Sequence, residues 1–215
     1  AFVLLILSTV TYDGFLETPA WGSVLGWIAE DATLRPLFVW LQEAGVNLHK
    51  LAKTLGLAVF VLGFVAAFLL FCGFMRQMGG AGSFRNIAGT FVLTLLPIAI
   101  AYHLAHYLSY FLVSGQLIIP LISDPFGQGW DLIGTADYKI DIGIVNAKFV
   151  WYLSVLSIVS GHLIAVYLAH VTALRVFPTE RAALLSQLPM IVLMVGYTMV
   201  SLWILSQPVV ESSFL

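Results

Sequence analysis

The chain predicts an all-α fold, a polytopic transmembrane helical bundle of about five spans with short interfacial helices. Two observations carry this. Sixty per cent of the 215 residues are apolar and 9% are charged, with a mean hydropathy of +1.00, far from the balance of a water-soluble domain. Four uninterrupted apolar segments are also present, each long enough to cross a ~30 Å hydrocarbon layer, which takes about 20 helical residues.

The elements follow in order. The opening run AFVLLILSTVTY reaches Asp13 too soon to span, and it has no basic stretch of the signal-peptide kind. It is expected to be the end of a helix belonging to a longer or processed chain, so that residues 1–215 form a single integral membrane domain, the C-terminal part of that chain. Asp13 is expected at the end of this first, partial span, as a cap, an interfacial residue or the start of an Asp-Gly turn. Between Asp13 and Lys53 the chain changes character. Thr18-Pro19 reads as the start of a helix, Trp21, Trp27 and Trp40 recur, and one or two short helices near the headgroups are expected. The full spans are expected at Thr54 to Met75, Ile87 to Val113, Val145 to Val171 and Ala182 to Gln207, with kinks at Pro97 and Pro189. The connection from Ser123 to Asp141, rich in Gly and carrying four aspartates, reads as an ordered aqueous loop.

Charge sets an expected orientation. The short turns holding Arg76 and Arg85, and Arg175 and Arg181, are net basic, whereas the long connections and the tail hold ten of the eleven acidic residues. Basic short loops face the cytoplasm. No basic run or nucleic-acid motif is present, so nucleic acid is not an expected partner; lipid and other membrane subunits are. One cysteine, Cys72, leaves no internal disulfide.

Chemistry is expected from the histidines. His103 and His106, with Tyr107, Tyr110 and Ser114, fall within a ~100° arc of one helix. A polar stripe within a span should face protein, and ionisable residues there are functional candidates. With Asp13 at the same level, two imidazoles and a carboxylate make a plausible ligand set for copper, zinc or iron. His162 and His170 stand about 12 Å apart along the span expected at Val145 to Val171, too far to share one metal. His162 borders a ridge of small residues, Ser157, Gly161, Ala165 and Ala169, which serves helix packing or the flat face of a haem. The plainer reading is that these histidines hydrogen-bond across helices and that the tyrosines anchor the interface. Cys72, Met75, Met78, Met190 and Met194 have the spacing of a Cu(I) site but read better as core filler, and Gln187 and Thr198 share a face suited to bridging helices. No nucleophile motif, phosphate loop or His-Glu-x-x-His occurs.

Three stretches carry a resemblance. These are Val-Thr-Tyr-Asp-Gly-Phe-Leu-Glu-Thr-Pro-Ala-Trp at 10 to 21, Ala-His-Tyr-Leu-Ser through Asp-Pro-Phe-Gly-Gln-Gly-Trp-Asp-Leu-Ile-Gly-Thr-Ala at 105 to 136, and Gly-His with Ala-His at 161 to 170. Together they resemble a bacterial multi-pass membrane family labelled fenitrothion hydrolase. The resemblance implies a bacterial inner membrane, a chain longer at its N-terminus, and motif positions at Asp13, His106, His162 and His170. Three functions are therefore carried forward. The first is a membrane subunit whose histidine-lined site binds a metal or haem; the second is an accessory subunit with no cofactor; the third is a transporter, for which no inverted repeat is visible. Whether the chain is an enzyme stays open.

Overall fold

The computed structural model describes residues 2–80, 82–144 and 146–207, and among them the regular structure is helical, with no strand. The helices are α1 (Phe2–Leu16), α2 (Pro19–Glu30), α3 (Arg35–Glu43), α4 (Leu48–Gly79), α5 (Phe84–Phe91), α6 (Leu96–Ser114), α7 (Ile118–Ser123), α8 (Ala147–Val176) and α9 (Glu180–Ser206). Four apolar stretches are long enough to cross a membrane: α4, the α5–α7 run, α8 and α9. They form a ring in which α4 packs on α9, α9 on α8 and α8 on α6, while α1 closes the gap between α4 and α6. α1 is accordingly well buried, with Val3, Leu4, Leu7 and Val10 in the core.

Helix ends lie where local chemistry puts them rather than at the limits of the apolar segments. α4 begins six residues before Thr54 because the Asn47 side chain accepts from the Lys50 N–H at 2.9 Å, and the polar first turns are good helix formers. It ends at Gly80, whose φ of 66° suits glycine. Asn146 caps α8 in the same way, and Thr179 caps α9 by accepting from Ala182 N–H at 3.2 Å. The stretch expected as one span at Ile87 to Val113 is broken by a 3-10 turn at Val92–Leu95, immediately before Pro97, which cannot donate to the preceding turn. Pro189 lies inside α9. The region from Asp13 to Lys53 holds two short helices, as the tryptophans suggested. Thr18 is the N-cap residue of α2, but its hydroxyl donates back to Phe15 O at 2.8 Å and makes no cap bond.

Two expectations are corrected. Asp13 neither ends a helix nor starts an Asp-Gly turn, since α1 continues to Leu16 and the carboxylate is held by α6. In the small-residue ridge, Gly161, Ala165 and Ala169 are buried, but Ser157 is half-buried and its hydroxyl bonds its own helix at Leu153 O. Ser154 takes that place and donates to Ala105 O of α6 at 3.2 Å. A side chain at Gly161 would collide with Ala101 and sit 2.7 Å from Pro97 O, so α6 fills the ridge and leaves no slot there for a porphyrin.

The Ser123–Asp141 connection is ordered by two buried polar side chains, Ser123 and Gln116, and by aspartates that brace its turns. Ser123, fully buried, donates to Asp131 at 2.6 Å. Asp124 accepts from the N–H groups of Gln128 and Gly129, and Gln116 accepts from Tyr138 OH and Asp141 N–H. Glycines at 127, 129 and 134 supply the positive φ its tight turns need. Ser123 and the Ala136 N–H hold the Asp131 carboxyl below the usual carboxylate range. At Asp124 desolvation pushes up, but several backbone N–H groups outweigh it and the net shift is also downward.

Three helices give one ruler for depth. Lys50 to Arg76, Lys148 to Arg175 and Arg85 to Phe111 each cover ~40 Å of helix at ~1.5 Å per residue, close to the ~40–45 Å of a bilayer with its headgroups. Trp151, Tyr152 and Tyr110 are exposed near one end of this ruler, as an aromatic belt requires. That end also carries the long connections.

Candidate functional site

The site forms where α1 meets α6 near the long-connection end, some 8 Å inside the outer limit of the ruler by helix rise. Asp13 of α1 accepts two contacts on one oxygen, Oδ2: Tyr107 OH donates at 2.6 Å, and His106 Nε2 lies at 3.3 Å. Asp13–His106 is the one close contact between a carboxylate and a basic side chain among the described residues. A carboxylate only accepts, so Nε2 carries a proton, and Nδ1 is the nitrogen that holds a lone pair whenever the ring is neutral. Nδ1 has no hydrogen bond among the described residues. The His106 ring is 12% exposed, and it lines a cavity of about 560 Å³ shared with Glu17, Tyr102, Tyr107, Ser109, Trp151 and Ser154.

Gly14 shapes this cavity. A Cβ there would sit 2.8 Å from Ile204, 3.1 Å from Tyr102 OH and 3.2 Å from His106 Cε1. The absent side chain therefore lets three elements converge beside the imidazole. Tyr102 is 1% exposed and its hydroxyl has no partner among the described residues. An unsatisfied buried hydroxyl costs about 1–3 kcal/mol. A ligand or an ordered water in the adjoining cavity is the natural partner.

The other sequence-derived candidates separate. His103 is exposed, with its ring 4.8 Å from that of Tyr107. It lines a second, shallower cavity of about 460 Å³ with Thr9, Asp13, Lys53 and Thr54 on the opposite side of the Asp13–Tyr107 bond. Tyr110 is 70% exposed. The stripe expected to face protein thus divides, His106 inward and His103 and Tyr110 outward. Its depth explains why: at the headgroup level a polar side chain can be solvated and need not find a protein partner. His162 Nδ1 pairs with Thr198 Oγ1 at 3.0 Å, and His170 Nδ1 with Gln187 Oε1 at 2.9 Å, so both bridge α8 to α9. Gln187 and Thr198 were singled out as bridging residues, and they are these partners. Among the described residues no group of three or more His, Cys, Asp or Glu side chains comes together as a metal-ligand set. Cys72, Met75, Met190 and Met194 are fully buried in the core, whereas Met78 is exposed.

Tyr102, Gly14, Glu17 and Ser154 were missed as site residues. Tyr102 was legible, because it stands four before His106 and so on the same helical face. Gly14 was not, since its role depends on α9 and α6 arriving from elsewhere.

No family model, curated protein or solved structure matches this chain.

Proposed function

We propose that the chain is an integral membrane subunit whose working site is the His106 cavity, where the imidazole, oriented by Asp13, offers Nδ1 as a ligand to a transition metal such as copper, iron or zinc, or to a haem iron. The observation that carries this is the carboxylate–imidazole contact on a histidine that lines a cavity and has no other hydrogen bond among the described residues. Metal-bound histidines are held in this way, the outer carboxylate fixing the tautomer and raising ligand basicity. One nitrogen is an incomplete shell. The remaining donors would come from a bound ligand or another subunit, in keeping with a chain that works within a larger membrane complex. We further propose the orientation given by the arginines, with the Arg76/Arg85 and Arg175/Arg181 turns cytoplasmic and the His106 cavity at the outer face of a bacterial inner membrane.

The test is elemental analysis and an absorption spectrum of the full chain, purified gently from its own membrane, beside His106→Gln and His170→Asn. Stoichiometric metal, or a haem band, retained in His170→Asn and lost in His106→Gln, is the expected result. A folded wild type that is colourless and metal-free would remove this reading. It would leave the accessory subunit, which the use of His162 and His170 as helix bridges favours.

A further inference from the structure

α7 and the loop that follows it lie beyond the level of the charged helix ends, yet they present apolar side chains. On the ruler set by the charged ends, Phe111 is level with Lys50 and Lys148, and Ser123 lies ~18 Å beyond it at ~1.5 Å per residue. Ser123 and Gln116 turn inward, while Asp124 and Asp131 brace the turns and stay open to solvent. What faces outward is Leu117, Ile118, Leu121 and Ile122 on one side of α7, with Phe126, Leu132, Ile133 and Ile142 on the loop; Phe126 is 73% and Ile142 77% exposed. Thr135 and Ile119 bond the loop to the other face of α7, so the platform is a single ordered piece. Contiguous apolar surface of this kind on an aqueous element marks an interaction site.

We propose that α7 and this loop are a docking platform for a different protein, one that presents an apolar contact face rimmed with lysine and arginine. Height excludes the acyl chains as the cover, because the platform begins where the headgroups end. Charge excludes a symmetric contact with a second copy. The loop carries Asp124, Asp131, Asp137 and Asp141 against Lys139 alone, and an isologous contact would set that acidic rim against itself. A basic rim around an apolar centre is the complement, the usual anatomy of a protein interface. Asp137 is exposed, and its carboxylate makes no hydrogen bond among the described residues, which leaves it the rim charge free to meet such a partner. The proposal stands apart from the His106 reading and survives its failure.

The test places a photo-crosslinking benzophenone residue at Leu121 or Ile142 of the full chain in its native membrane, with Leu163, exposed at mid-span, as control. We expect an adduct to one other polypeptide, at least about fivefold above the control. The crosslinked peptide should contain Lys or Arg, and Asp137→Lys or 0.5 M salt, at which surface charges are screened within ~5 Å, should lower the yield about threefold or more. Thermal unfolding confirms that Asp137→Lys is folded. Adducts of the chain with itself, with lipid, or with a protein indifferent to Asp137→Lys would each overturn the proposal, as would no adduct above the control.

Discussion

Replacing Gly161 by alanine tests the close approach of α6 to α8. The added Cβ would overlap Ala101 and approach Pro97 O to 2.7 Å, where ordinary contact begins near 3.4 Å. Pro97 O is backbone and Ala101 has no rotamer to change, so the only relief is to separate α6 from α8. Overpacking of this kind costs about 1–3 kcal/mol, and alanine recovers up to ~1 kcal/mol of helix propensity. A net loss of about 1 kcal/mol is expected. For a chain of this size 1 kcal/mol corresponds to ~2–4 °C, so the unfolding midpoint in detergent should fall by about 2–4 °C. Gly63→Ala and Gly196→Ala are the controls, because a Cβ at either position meets nothing within 4 Å. They should leave the midpoint unchanged or raise it slightly. Equal midpoints for Gly161→Ala and both controls would refute the close α6–α8 approach and the packing role of the ridge.

Other outcomes follow from the same geometry. Asp13→Asn should weaken metal binding by about 10–100-fold, the usual effect of losing an outer-shell carboxylate, while leaving the fold intact; titration calorimetry with the candidate metals measures it. A double-mutant cycle of His162→Ala and Thr198→Val should give a coupling of about 0.5–1 kcal/mol, the range of hydrogen bonds between membrane helices; a coupling near zero would deny the bridge. The loop should respond to acid with a definite sign. Asp131 and Asp124 have folded pKa values below their ordinary ones, so their support is complete above the ordinary carboxylate value and is lost as pH falls through the lower, folded one. Loop order, followed by fluorescence from Trp130, should therefore hold from neutral pH down to about 4 and fail only below it. Asp131→Asn should show the disordered signal at every pH.

The span count and the bridging role of Gln187 and Thr198 were legible because hydropathy and helical spacing are local properties. Helix ends were less so. The spans were expected where the apolar residues lie, whereas capping by Asn47 and Thr179 carries the starts of α4 and α9 further into polar sequence, and capping by Asn146 starts α8 two residues after Val145. Within the site, the pairing of Asp13 with His106 was anticipated only as a shared depth. The bond from Tyr107, the outward turn of His103 and the orphaned Tyr102 hydroxyl depend on how α1 is rotated between α4 and α6, and an almost uniformly apolar helix does not encode its own rotation. The exposed platform after Ser114 was hidden for a similar reason. Its aspartates suggested an aqueous loop, and only the hydrogen bonds reveal that two of the four also brace its turns.

The bridges from α8 to α9 have a mechanical consequence. His162–Thr198 and His170–Gln187 lie about two turns apart along α8, and the Gln187 amide is itself pinned by its own donation to Ala183 O at 2.8 Å. Sliding one helix past the other by a single residue, ~1.5 Å, would strain both pairs at once, and a full turn would face His162 with Met194 or Leu202 and His170 with Ala183 or Ile191, none of which can accept or donate through its side chain. Motion between these two helices is thus confined to small rolling and bending. Any stroke that links the two faces of the membrane must run through α1, α4 or α6.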